Sequence, residues 1–203
     1  MTNSNPIRSK AADPRRSTGA GSALGRVVWL LALLGCLIGF TKQAGAQPSL
    51  SEYQVKALFL FNFAKYVDWP VEAFARPETP IAIGLIGTSS CLESLQKTVE
   101  GKRVSNRPIV IQQLEKPEDI VKCQILFISA SEKKRVGEIL RDVRDKPVLT
   151  VSEVDQFADQ GGVIGFVKRD GKVRLEINLN AARQAKLEIS SKLLSVADNV
   201  IGK

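Results

Sequence analysis

Between residues 50 and 67, apolar side chains fall at Tyr53, Val55, Leu58, Phe59, Leu60, Phe61, Phe63, Ala64 and Val67, with no glycine or proline before Pro70. This spacing predicts a helix that opens at Ser51, with Glu52 beside it, and closes before Pro70. Its apolar face is wider than the usual stripe. Lys56, Asn62 and Lys65 do not fall on one narrow polar line, so the helix is expected to be buried on more than one side.

Beyond it the pattern changes period. The run IAIGLI (81–86) predicts a buried strand entering the turn Gly87-Thr88-Ser89-Ser90, and Leu92, Leu95 and Val99 then follow at helical spacing up to Gly101. Further strands are expected at 109–111, 124–129 and 148–151. Between them lie a short helix opening at Pro117 and a longer one from Ser131 to about Arg144. Gly161-Gly162 opens a fifth strand (163–167). Asp170-Gly171 is a hairpin signal, and 173–177 returns as a sixth strand. The chain from Ala181 to about Asn199 reads as helical, with a break near Ile189-Ser190-Ser191. Alternating strands and helices imply right-handed crossovers. The expected fold is a single α/β domain: a mostly parallel, mixed sheet of about six strands, helices on both faces, and a hairpin in its C-terminal half.

Charge divides the chain. The formal net charge is +8, but residues 1–46 carry six basic groups against Asp13 alone, and the remaining 157 residues are only +3. Nucleic-acid binding needs a clustered basic face on the folded part, so a nucleic-acid partner is not expected. Arg26 precedes a 14-residue apolar run, VVWLLALLGCLIGF (27–40), followed by TKQAGA. A basic start, a short apolar run and an Ala-x-Ala-like site read as a secretory signal peptide over 1–46, leaving a domain over 47–203. An uncleaved anchor is the alternative, although a span needs about 20 apolar residues. Leu34-Gly35-Cys36 is a weaker lipoprotein-like reading. Export places the domain in an oxidising compartment, with only Cys91 and Cys123 retained.

The chain contains no histidine. That removes the usual acid–base residue, the commonest zinc ligand and the Ser-His-Asp and Cys-His arrangements. No C-x-x-C occurs, and Gly84-Leu85-Ile86-Gly87 lacks the spacing of a phosphate loop. Asp142 and Asp145 lie on a helix rich in Lys and Arg and read as a solvated face. No catalytic residue, metal site or cofactor is expected. Gly87, Thr88, Ser89 and Ser90 lie at the carboxyl end of a parallel strand, before a helix. They are candidates for binding an anion or small polar ligand, against the plainer reading of helix capping.

The segments YQVKALFLFNFAKYVDWP, IAIGLIGTS, GKRVSNRPIVI, CQILFIS, PVLTVSE, FADQGGVIGFV, KVRLEINLNAAR and LEISSKLLSVA resemble, in order, the motifs of the YfiR-like family. The resemblance implies a periplasmic α/β protein that is not an enzyme and forms a homodimer. Its implied partner is the periplasmic sensory domain of an inner-membrane diguanylate cyclase, or another membrane sensor. Its implied action is repression, which lowers cyclic di-GMP and surface attachment. The chain departs from the family pattern at Ser90-Cys91, whereas Cys123 stands where cysteine is frequent in the family.

The alternative is a periplasmic small-molecule-binding protein that feeds a sensor kinase or transporter from the 87–90 turn. On the first helix, Phe59, Phe63, Tyr66 and Trp69 either fill the core or face a dimer mate or partner. Cys91 follows the first strand and Cys123 precedes the third. In parallel strands that separates them by about 15 Å or more at roughly 3.3 Å per residue, beyond the Cα limit of about 7 Å for a disulfide. Both are redox candidates: Cys123 is expected to be a buried thiol, and Cys91 a more exposed one near a helix start, where thiolate is favoured.

Overall fold

The computed structural model describes residues 50–115 and 117–203; the expected signal peptide over 1–46 lies outside them. Helix α1 (Glu52–Tyr66) opens with a capping box. Ser51 Oγ accepts from the Gln54 amide, and Gln54 Oε1 accepts from the Ser51 amide at 2.8 Å. The helix ends earlier than Pro70 alone suggests, because Val67–Asp68 (β1) pairs antiparallel with Glu188–Ile189 (β9).

Among the described residues the main sheet has eight strands, in the order β10 (Asn199–Ile201), β8 (Lys172–Asn178), β7 (Ile164–Arg169), β6 (Leu149–Ser152), β5 (Ile125–Ile128), β2 (Ile81–Ile86), β4 (Arg107–Leu114) and β3 (Arg103–Val104). At its centre, β2, β4, β5, β6 and β7 are parallel neighbours. The Asp170-Gly171 turn, with φ positive at both residues, returns β8 (Lys172–Asn178) antiparallel to β7. The mostly parallel mixed sheet expected from the pattern is therefore the one observed.

Each strand sorts its side chains by alternation. Ile81, Ile83 and Leu85 of β2 point to α1 and α2 (Cys91–Val99), together with Phe127, Val151, Phe166 and Leu175. Ala82 and Ile86 point to the other face, where Val136 and Ile139 of α3 (Val136–Asp142) pack with Leu126, Ile128 and Phe157. Helices thus cover both faces of the sheet. Gly84 is glycine because a Cβ there would lie 2.9 Å from Cys123 Sγ and collide with Leu114 as well.

Four expectations need correction. The helix expected from Ser131 begins instead as a 3-10 segment, Ala130–Arg135, because Ser129 and Ser131 are tied to the backbone of Thr88. The short helix at Pro117 is likewise a 3-10 segment, Pro117–Lys122. The strand expected at 109–111 runs from Arg107 to Leu114, because Ser105 and Asn106, both at positive φ, form a tight turn to β3 (Arg103–Val104). The C-terminal helix is two short helices, α4 (Leu179–Gln184) and α5 (Ser191–Leu194), with β9 between them. Lys186 at φ 56° ends the first, and Ser190 caps the second. The chain then adds the short strand β10 (Asn199–Ile201), parallel to β8.

Candidate functional site

The carboxyl ends of β2, β5 and β6 meet the amino end of α1 along one edge of the sheet. Ligand sites of open α/β sheets lie at such an edge. The turn after β2 is drawn into the protein. The Thr88 amide donates to Ser131 Oγ at 3.0 Å, Ser129 Oγ donates to the Thr88 carbonyl, and Gln113 Nε2 donates to the Gly87 carbonyl at 3.0 Å. Ser89 Oγ accepts from the Cys91 amide at 3.1 Å, so Ser89 rather than Ser90 supplies the side-chain bond at the start of α2. Gly87 holds φ +85°, and a Cβ there would strike Ser131. The structure brings Gly87, Thr88, Ser89 and Ser90 together with Ser129 and Ser131, and these bonds lock the turn in place.

A different group dominates this edge. Lys56, in the second turn of α1, is 5% exposed. Its Nζ lies 2.7 Å from Glu52 Oε1 and 2.6 Å from Glu153 Oε2, just after β6. Glu52 also meets Lys168 of β7 at 3.0 Å, and Glu153 accepts from the Ala130 amide at 3.3 Å. Burial pushes the Lys56 pKa down, but the hydrogen bonds to Glu153 and Glu52 outweigh it and hold the pKa above the ordinary lysine value. The bonds to Lys56 and Lys168 hold Glu52 below the ordinary carboxylate value. A lysine in an aromatic-rich helix reads in sequence as a solvated interruption. The signals that point to Lys56 are Glu52 four residues earlier and the failure of the polar positions to share one line.

Two clefts flank this cluster. One, of about 490 Å³, has Phe166 at its floor, with Lys56 and Lys168 facing Glu153, Asp155 and Asp159. The other, of about 600 Å³, runs between α1 and the β7–β8 hairpin and is lined by Leu50, Val55, Phe59 and Val173 beside Lys168, Lys172 and Arg174. The 87–90 turn lines neither cleft.

The four candidate aromatics do not form one surface. Phe63 is 0% exposed and belongs to the core, so the partner-surface expectation for it is corrected. Its ring stacks with those of Phe59 and Phe166, both at 6.1 Å, and Phe166 leads on to Phe127 at 6.3 Å. Phe59 is half-buried and shows one edge to the second cleft. Tyr66 and Trp69 lie at the far end of α1. Trp69 Nε1 donates to the Gln124 carbonyl at 3.2 Å, and Gln124 Nε2 donates to the Ala73 carbonyl at 2.8 Å. The aromatic segment is thus mainly core, with Phe59, Tyr66 and Trp69 partly open at separate places.

The expectation for Cys91 is also corrected. It is 1% exposed beneath α1, with Sγ 3.6 Å from the Tyr53 carbonyl, and burial pushes its thiol up to about 11. Cys123 is buried on the other face of the sheet and is pushed up to about 12, again by burial. Both are free thiols. A lysine held protonated and two thiols held protonated are poor bases and nucleophiles at neutral pH. The cluster can hold a shape and present charge.

Among the described residues, no three His, Cys, Asp or Glu side chains gather to hold a metal ion, and no helix is long and apolar enough to cross a membrane. Residues 53–198 match the family described as YfiR/HmsC-like. The chain belongs to the YfiR/HmsC-like family. That family is regulatory and non-catalytic. At family level it is periplasmic and acts in cyclic di-GMP signalling with a membrane-bound signalling partner. No curated protein matches this YfiR/HmsC-like chain. Among solved structures, a conserved domain protein from Vibrio cholerae O1 biovar El Tor is similar at 12% identity and a TM-score of 0.48, covering 75% of this chain and 61% of its own. An ABC domain from Streptococcus pneumonia in complex with L-Trp is similar at 12% identity and a TM-score of 0.45, covering 74% of this chain and 60% of its own. The YfiR/HmsC-like chain thus spans about 60% of the length of either structure.

Proposed function

We propose that this YfiR/HmsC-like protein is exported to the periplasm and binds the periplasmic sensory part of an inner-membrane diguanylate cyclase. By repressing that cyclase it lowers cyclic di-GMP and surface attachment. The observation that carries this reading is the family match over residues 53–198, which takes in α1, almost the whole sheet and both crossover layers. The chemistry of the sheet edge supports it. The buried lysine is neutralised by two carboxylates and the Cys91 thiol beside them is held protonated, so the edge suits contact rather than turnover. Apolar groups that remain exposed on and beside α1, Leu50, Tyr53 and Leu58, supply surface for contact.

Affinity capture of the tagged protein from detergent-solubilised envelopes of the native organism tests this reading. A membrane diguanylate cyclase is expected to co-purify in stoichiometric amount. Capture of another class of membrane sensor in that position, with no cyclase, would reject the cyclase reading.

A further inference from the structure

The cleft between α1 and the β7–β8 hairpin is built from two unlike parts. Its floor is apolar and recessed: Val55 and Phe59 of α1 face Val173 of β8, each half-buried, and Leu50 stands at the mouth, 56% exposed. Its outer bank is the edge of β8, where Lys172 and Arg174 flank Val173 and alternate to the other face of the strand. Lys168 is engaged by Glu52, but Lys172 and Arg174 make no ion pair or hydrogen bond through their side chains among the described residues. The same bank has an open backbone edge. β10 pairs with β8 only at Glu176, Ile177 and Asn178, so, among the described residues, 172–174 have no neighbouring strand on that side.

These features specify an occupant. A segment that adds to the open edge of β8 satisfies backbone groups that otherwise face water. A large apolar side chain of that segment fills the space over Val55, Phe59 and Val173, and acidic side chains beside it meet Lys172 and Arg174. A bilayer fits less well, because its contact needs apolar groups that protrude, whereas these are recessed. A second copy of this chain would bring the same uncompensated cations to the contact.

We propose that this cleft is the docking groove for an extended, acidic segment, carrying a large apolar side chain, in the periplasmic part of the membrane partner. This rests on the regulator reading above and adds to it the surface used and the chemistry of the segment that binds.

The test is made in the native organism with chromosomal variants. Lys172→Glu/Arg174→Glu reverses the bank without touching the core. Lys134→Glu/Arg144→Glu makes the same change in net charge at exposed sites elsewhere on the fold. The first variant is expected to reach wild-type periplasmic abundance and melting temperature, yet raise cyclic di-GMP to the level of the gene deletion. The second is expected to leave cyclic di-GMP at the wild-type level. If the deletion raises cyclic di-GMP and Lys172→Glu/Arg174→Glu does not, the groove proposal is overturned and the regulator reading stands. If the deletion has no effect, the regulator reading fails and the groove proposal with it. Equal loss of repression in both variants points to overall charge and also overturns the groove. Two measurements on purified protein address the other occupants. Binding to phosphatidylglycerol vesicles that the first variant loses assigns the bank to lipid. A change of oligomeric state by light scattering in that variant assigns the groove to self-association. Either result overturns the proposal.

Discussion

Lys56 and Glu153 stand 97 positions apart in sequence and 2.6 Å apart in space. The pair ties the first helix to the loop after a central strand. Replacing Lys56 with Met leaves two carboxylates facing each other around an apolar side chain. Loss of one member of a buried pair costs about 3–5 kcal/mol. Glu153 and Glu52 keep 21% and 37% side-chain exposure, so the expected cost is lower, about 1–3 kcal/mol. Lys56→Met/Glu153→Gln is expected to recover part of it.

Lys56 and its other carboxylate partner, Glu52, set a pH window. Glu52 is depressed in the folded state, so its contribution is complete above the ordinary value of 4.5 and is lost as pH falls through its folded value below that. Lys56 is raised, so its contribution is complete below 10.5 and is lost as pH rises through its folded value above that. Urea midpoints of wild type and Lys56→Met measured across pH should differ most between these limits and converge outside them. A gap independent of pH would remove the ion pair from the account.

The six longer strands and the Asp170-Gly171 hairpin were legible in the sequence because apolar runs and turn residues act locally. The sheet interior did not need tertiary information to be recognised. What escaped was set by contacts distant in sequence. Lys56 is buried because Glu153 meets it from another element, and α1 stops at Tyr66 because Val67 finds Ile189. Strand β10 has only three residues, and the pairing with β8 defines it. Cys91 stands at a helix start, as its sequence suggested, but α1 lies over it and reverses the expected thiolate chemistry. Of the candidate site, the 87–90 turn was visible as a strand-to-helix junction. The cleft beside α1 was not, since its walls come from residues more than a hundred positions apart.

The cysteines give a second prediction. With both thiols buried and pushed up to about 11 and 12, alkylation of native protein by iodoacetamide at neutral pH should be slower than that of free cysteine by at least about 100-fold. Reaction should become complete in denaturant. Rapid labelling of Cys91 in native protein would show that α1 opens readily at its amino end.

Gly84 gives a third. Alanine there meets Cys123 Sγ and Leu114, both within the core. Overpacking of this kind costs about 1–3 kcal/mol. Gly84→Ala should lower the thermal midpoint, and should lower it by less in a Leu114→Ala background than in the wild type. An unchanged midpoint in the single variant would mean that the β2–β5 layer has space that the packing does not show.

Processing of the leader gives a fourth. The proposed cleavage after Ala46 would remove Trp29 and leave Trp69 as the sole tryptophan. Intact mass of periplasmic protein should correspond to a chain starting at Gln47. Its tryptophan emission should then report only the indole bonded to the Gln124 carbonyl. A full-length mass in the membrane fraction would replace export with anchoring.

Repression of a cyclase by this protein is read out in cyclic di-GMP levels in a clean deletion of the gene, in wild type and in the complemented strain. A rise of several-fold is expected in the deletion, reversed by complementation and accompanied by stronger surface attachment. Equal cyclic di-GMP in all three strains would contradict it.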